Sequence, residues 1–393
     1  MLSETPMTVN ERRKYLNRMK PRYVKATKKE RSVLLKEMEQ VTGMHRKSLT
    51  RLINAETLER NKRTGQRQRT SGSDVEQVIV CVWESLDYIC AERVTPALLR
   101  TAKQLERFGV VKLSPTVEEQ LQTISRASVA RLLTKHRSQH RRLPRKGPER
   151  ANQVTKGVPM GRIAWNTTEP GHFEVDLVFH SGPSVVGEHM HTLQLIDVAT
   201  GWSERVAILG RGQQAMVAGF ERVLKRLPFV VLELHPDNGT EFFNAHLVRF
   251  WKEKVVGVHL SRSRPYHKND NRLVEQKNDS LVRQYFGNVR LDTLEQWTLM
   301  NEIYELMWLY YNLFQPVMHL QEKVTINDRV RRTWDQAQTP YERLKATNAL
   351  SEEQRQRLDA LYAQTNPRQL RTEIYQRLDH LWDMAATTAQ NAA

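Results

Sequence analysis

The run FVVLEL, Phe229 to Leu234, stops at HPDNG, and this junction constrains the chain more than any other stretch. A near-continuous apolar strand has no solvent face, so it has to sit inside a sheet with helices over both sides. Pro236, Asn238 and Gly239 then turn the chain. A carboxylate, Asp237, therefore stands at the end of an interior strand. A turn alone accounts for Asp-Asn-Gly; the question is whether another part of the chain requires the acid there.

The flanking sequence supplies the rest of such a sheet. HFEVDLVF alternates as a strand does. MHTLQLIDVATGWSERVAIL reads as two strands joined at Thr200-Gly201. RGQQAMVAGFERVLKRLP is an amphipathic helix, NAHLVRFWKEKVVG a second helix and VHLSRS a short strand. NDNRLVEQKNDSLVRQYFG is a helix ending near Gly287. The order β-β-β-α-β-α-β-α predicts a mixed sheet flanked by helices.

Three acids are placed by this pattern. Asp176 lies inside the first strand, with Val175 and Leu177 on the opposite face. Asp237 ends the fourth, and Glu275 lies on the helix after the fifth. If the first and fourth strands are adjacent and parallel, Asp176 and Asp237 sit side by side, and a helix across their ends brings Glu275 to the same point. Converging carboxylates repel one another unless a cation is present. Hard oxygen donors favour Mg²⁺ or Mn²⁺. Two such ions about 3.5–4 Å apart support in-line phosphoryl displacement. Among neighbouring acids, Glu174 shares a strand face with Asp176 and reads as a supporting group, and Asp197 as structural; Glu241 and Asp270 read as helix entry and loop. His235 reads as a packing or hydrogen-bonding residue.

The rest of the chain points to a polyanion. The 393 residues carry a formal net charge of +17, and neutralising phosphates with such charge releases counterions. Residues 1–60 are expected to form a helix-turn-helix unit, with Val33, Leu34, Met38, Val41, Leu49, Leu52 and Ile53 apolar and Gly43 at the turn. Its second helix offers Arg46, Lys47, Ser48 and Arg51 to DNA; a solvated basic face on an ordinary hairpin accounts for them equally well. Residues 61–74 read as a linker. Residues 75–136 form a second helical, helix-turn-helix-like block with Ser125 as N-cap and Arg126, Arg131 and Lys135 outward. The proline-interrupted stretch 137–165, with Arg141 and Arg142, reads as an extended basic linker along DNA. The sheet region is 166–290, and 291–393 is expected to be helical. Two cysteines, Cys81 and Cys90, exclude a disulfide scaffold. No apolar run approaches a membrane span and no signal-peptide core opens the chain, so a cytoplasmic protein is expected.

At FEVDLV, DVATGWSERVAI, HPDNGTEF and SRSRPYHKNDNRLVEQKN, over about residues 168–290, the chain resembles the DDE integrases and transposases with an RNase H-like core. Sixty residues separate Asp176 from Asp237 and thirty-seven separate Asp237 from Glu275, close to that family's spacing. The flanks resemble bacterial insertion-sequence transposases. The resemblance implies that Asp176, Asp237 and Glu275 are catalytic metal ligands for Mg²⁺ or Mn²⁺. The implied reaction is metal-dependent 3′-end cleavage at a mobile element's ends, followed by strand transfer into target DNA. It further implies double-stranded DNA as partner, a homo-oligomer on DNA, and a nucleoid-associated bacterial setting; an accessory ATPase or target selector is left open. Around Glu275, the residues Lys268, Asn271, Lys277 and Asn278 are candidate DNA contacts, with a solvated polar helix face as the equal alternative. Two other readings stand beside this one: an inactive or regulatory DNA-binding protein derived from a transposase, and a metal-dependent RNase H-like nuclease that does not join.

Overall fold

The computed structural model describes residues 7–56, 72–136, 160–161, 163–164, 166–183, 186–236, 242, 245–255, 257–263, 270–326 and 329–391. The chain divides into two compact units, Met1–Thr70 and Ser71–Ala393.

In the first unit, α1 (Val9–Lys25), α2 (Lys28–Thr42) and α3 (Arg46–Ile53) surround one small core. Leu16, Met19, Tyr23, Leu34, Leu35, Met38, Leu49 and Ile53 fill it. Thr8 and Glu11 form a capping box that starts α1. Gly43 ends α2 at φ 65°, a conformation that costs glycine nothing. The expected turn between two helices is present, but Val33 and Val41 are exposed at 67% and 45%. The apolar stripe of α2 is Leu34, Leu35 and Met38, the i, i+1, i+4 positions that face α1 and α3.

The second unit begins with α4 (Ser73–Ser85), α5 (Ala91–Arg107), α6 (Pro115–Thr123) and α7 (Arg126–His136). A two-residue β1 (Met160–Gly161) follows, then the central strands β2 (His172–His180), β3 (Met190–Asp197) and β4 (Ser203–Leu209). Next come α8 (Gln213–Arg226), β5 (Glu233–Pro236), α9 (Ala245–Lys254), β6 (His259–Leu260) and β7 (Arg262–Ser263). The sheet order is β4-β3-β2-β5-β6. β2 is antiparallel to β3 and parallel to β5, so the first and fourth core strands are parallel neighbours, the condition on which the sequence reading of Asp176 and Asp237 depended.

Alternation along β2 divides the sheet's faces. Phe173, Val175 and Leu177 join Leu193, Leu195, Val206 and Ile208 in a core with Met216, Phe220 and Val223 of α8. Glu174, Asp176 and Val178 lie on the other face. There α10 (Arg272–Lys277) continues through a π-helical turn, Asn278–Arg283, into α11 (Gln284–Phe286). α12 (Leu294–Leu309) covers the rest of that face with a second π turn, Tyr310–Phe314. Val178, Met190, Ala207, Met300, Ile303, Tyr304 and Met307 form its apolar contact.

Two expectations need correction. FVVLEL is not one strand: Val230 is 68% exposed and β5 begins only at Glu233. Pro228 precedes the run, and the N–H groups of both Leu232 and Glu233 turn onto Gly171 O, so pairing starts where β2 starts. The C-terminal region is not wholly helical either. β8 (Leu320–Ile326) and β9 (Arg329–Trp334) form a separate antiparallel ribbon before α13 (Pro340–Lys345), α14 (Glu352–Gln364) and α15 (Pro367–Asn391). β-branched Val324, Thr325, Ile326, Val330 and Thr333 fit strands better than helices.

Candidate active site

The site is built on the polar face of β2. Glu174 and Asp176, two residues apart, point the same way. Glu174 is buried, and its Oε2 accepts the N–H groups of Leu273 (2.7 Å) and Val274 (2.9 Å). These are first-turn donors of α10, which have no partner inside the helix. The carboxylate thus seats the helix that carries Glu275 onto the strand that carries Asp176. Burial pushes Glu174 up to about 7, opposed by those two hydrogen bonds and by Arg272, and assisted by the nearby charge of Glu275.

Asp176 is half-buried. Its Oδ1 accepts the N–H of Leu177 (2.9 Å), and its Oδ2 accepts Asn278 Nδ2 (2.5 Å). Asn278 is buried, and its Oδ1 accepts Gln194 Nε2 (2.8 Å). Gln194 faces Asp176 directly across the β2–β3 ladder, and Arg205 faces Gln194 across β3–β4. One row of the sheet therefore reads Asp176, Gln194, Arg205, with Asn278 bridging its first two members from above. The π turn begins at Asn278; widening the helix there changes the direction of the side chains after Glu275, a device common at functional positions. Arg205 is also buried, lying over the Tyr311 ring at 4.8 Å and donating to Met307 O.

Glu275 is exposed on α10. The β2–β5 pairing extends to Val175↔Pro236, one residue short of Asp176 on β2 and of Asp237 in sequence. Asp237 itself lies outside the described residues, as do Glu241, Lys268, Arg141 and Arg142. Among the described residues, no group of three potential ligands stands together. Asp176 and Glu275 nonetheless offer hard carboxylate oxygens, a donor set that suits Mg²⁺ or Mn²⁺. Glu174 is committed to two backbone N–H groups and is placed to position rather than to ligate.

Asn271 and Asn278 are buried, and Asn271 Nδ2 donates to Val175 O (3.4 Å). Lys277 is partly exposed, and burial, with Arg93 and Arg205 nearby, pushes its ammonium down to about 7. His235 is buried against Ser261 Oγ (2.7 Å). Asp197 accepts N–H groups from Gly171 and Thr200 (both 2.8 Å) and closes the β3–β4 turn; buried Asp270 stands just before Asn271 and α10. In the N-terminal unit, Lys47 and Arg51 are exposed and Ser48 is half-buried on α3. The Arg46 guanidinium donates to Ser32 Oγ (2.8 Å), tying α3 to α2. On α7, Arg126, Arg131 and Lys135 are exposed and Ser128 N–H donates to Ser125 Oγ (3.3 Å). Sequence reasoning missed Gln194 and Arg205, although a polar residue in each apolar run, MHTLQLID and SERVAIL, is a signal of a buried network.

The second unit is thus an α/β domain with an aspartate at the middle of its central strand and a helix braced across it. No family model matches the chain. It is 34% identical over 310 residues to the uncharacterized protein y4rM of Sinorhizobium fredii (strain NBRC 101917 / NGR234), covering 79% of this chain and 88% of that one, and it belongs to the same family. Among solved structures, the catalytic core domain of BIV integrase aligns with 45% of this chain and 95% of its own at 17% identity and a TM-score of 0.29. Among the described residues, no helix is long and apolar enough to cross a membrane.

Proposed function

We propose that the chain is a DDE-type polynucleotidyl transferase, a transposase or integrase that cleaves the 3′ ends of a mobile element and joins them to target DNA. The observation that carries this reading is the seating of α10 on β2. Glu174 holds the first turn of α10 and Asn278 holds Asp176, so the helix of Glu275 is fixed to the strand of Asp176. The parallel β2–β5 pair leads toward Asp237. The four sequence motifs and the net charge of +17 support the same reading.

Asp176, Asp237 and Glu275 would hold Mg²⁺ or Mn²⁺, whose chemistry is to polarise the phosphodiester and lower the pKa of the attacking hydroxyl or water. Asn278 fixes the rotamer of Asp176, and Gln194 fixes Asn278. Exposed Lys47 and Arg51, together with Arg126, Arg131 and Lys135, supply cations for duplex DNA. Double-stranded element ends and target DNA are the partners in this reading, and the working form is an oligomer on DNA.

The test is strand transfer of a labelled duplex carrying the DNA that flanks the gene into a plasmid, with Mg²⁺ or Mn²⁺. Joined product that disappears with EDTA is the expected result. Cleavage without joining would favour the nuclease reading. Binding with neither reaction would favour a regulatory DNA-binding protein.

A further inference from the structure

The β8–β9 ribbon plays no part in the site described above. Its strands pair only with each other, and a lone two-stranded hairpin is marginal in water. Arg331, Arg332 and Thr333 are exposed, and Trp334 is 47% exposed. Neither Arg331 nor Arg332 has an ion pair among the described residues. Arg331 and Arg332 are adjacent on a strand, so they serve opposite faces of the ribbon.

The root of the ribbon is firm. His319 N–H donates to Asp335 Oδ1 (2.7 Å), and Asp335 N–H donates to His319 O (3.0 Å). Arg343 pairs with Asp335 at 2.7 Å. A Cβ on Gly201 would meet Val317 Cγ2 at 3.2 Å and His319 Nε2 at 3.4 Å, so the β3–β4 turn abuts the same root.

We propose that this ribbon is a DNA-contacting element, with Arg331 and Arg332 taking phosphates of duplex DNA and Trp334 packing against the same strand. The partner follows from the chemistry. Exposed guanidiniums with an exposed indole suit a phosphodiester backbone with its sugars and bases. A two-stranded ribbon also has the dimensions of the major groove. A second copy of the chain is the poorer occupant, because charged side chains along an edge strand discourage β-pairing between molecules.

This inference rests on the DNA-processing function proposed above, and the test separates the two. Full-length protein and the Arg331→Ala/Arg332→Ala variant would be titrated with a fluorescein-labelled duplex of about three helical turns, by anisotropy at several salt concentrations. The expected result is an affinity loss of about tenfold to a hundredfold, with the slope of log K against log salt shallower by about 1.8, or 0.9 per phosphate contact. The Arg331→Lys/Arg332→Lys variant should restore the slope. Trp334→Ala should weaken binding without changing the slope. An unchanged slope in the double alanine variant would overturn the ribbon proposal while leaving the DNA-processing reading intact. An altered oligomeric mass with unchanged DNA binding would overturn it in favour of pairing between copies. Wild-type protein that binds no duplex would overturn both.

Discussion

Two buried side chains, Glu174 and Asn278, decide whether the carboxylates of β2 and α10 can meet. Glu174→Ala leaves the N–H groups of Leu273 and Val274 without their partner, at roughly 1–3 kcal/mol for each. Urea unfolding should register that loss, and strand transfer should fall further than stability does because Glu275 loses its seat. Glu174→Gln keeps an acceptor and should recover most of both; a glutamine variant as impaired as the alanine would contradict the seating role. A second prediction concerns pH. His191 is buried and its imidazole is depressed from 6.5 to about 4 by burial, with His189 also contributing. It is neutral in the fold and charges more readily once unfolded. Its contribution is therefore intact above pH 6.5 and is lost as pH falls toward 4, by about 2 kcal/mol at pH 5. Denaturant titrations at pH 7.5 and 5 should show the loss, and His191→Phe should reduce it. Acids at a strand centre, a strand end and a helix are conspicuous in a sequence; the structure describes Asp176 on β2 and Glu275 on α10, and Asp237 lies outside the described residues. Glu174 was legible only as a neighbour, since no spacing rule says that it caps a helix nearly a hundred residues away.

At the scale of elements, the edge strand β4 is closed by side chains rather than by another strand. Asn312 accepts the Ser203 N–H (2.9 Å) and donates to Ser203 O (3.0 Å). Asn301 makes the same pair with Ala207, at 3.1 Å each way. Each asparagine imitates the hydrogen bonds of a neighbouring strand and protects an edge that would otherwise invite association. Asn301→Ala and Asn312→Ala should each cost roughly 1–3 kcal/mol by chemical denaturation, and the double variant should self-associate in light scattering. Full stability in both single variants would contradict this account. The helix α12 was legible only as part of the region 291–393 expected to be helical; it packs on the sheet and on α15. The π turns at Asn278 and Tyr310 and the β8–β9 ribbon were not legible. A π turn depends on what the helix must reach, and a ribbon that begins six residues beyond Phe314 has only its β-branched residues to announce it.

Over the whole molecule, the helices of 73–136 belong to the same compact unit as the sheet. Asp87 joins them. At φ 59° it stands where few non-glycine residues stand, and it receives the hydroxyls of Tyr285 and Tyr375 and the Arg371 guanidinium. Tyr310 Oη donates to Ser85 O (2.8 Å), and Gln104 donates to Tyr362 O (2.7 Å). α15 packs on α12 and the sheet through Leu370, Ile374, Leu378, Leu381 and Ala385, and its Arg368 pairs with Glu84 of α4 at 3.1 Å. Asp87→Ala removes a partly buried anion from three donors and should cost roughly 3 kcal/mol, lowering one shared thermal transition rather than splitting it; two transitions would show that the helices and the sheet unfold independently. Composition pointed to a polyanion, but the union of these helices with the sheet was not legible, because its hydrogen bonds span 198 to 288 residues.

The most direct test of the central claim compares wild-type protein with Asp176→Asn in the strand-transfer assay, alongside anisotropy on the same labelled duplex. The substitution keeps the shape of the side chain and removes the charge that a metal ion requires. The account predicts joined plasmid product with wild type and Mg²⁺ or Mn²⁺. With Asp176→Asn it predicts a loss of at least about a hundredfold, with duplex affinity nearly unchanged. Joining by Asp176→Asn at the wild-type rate would contradict it.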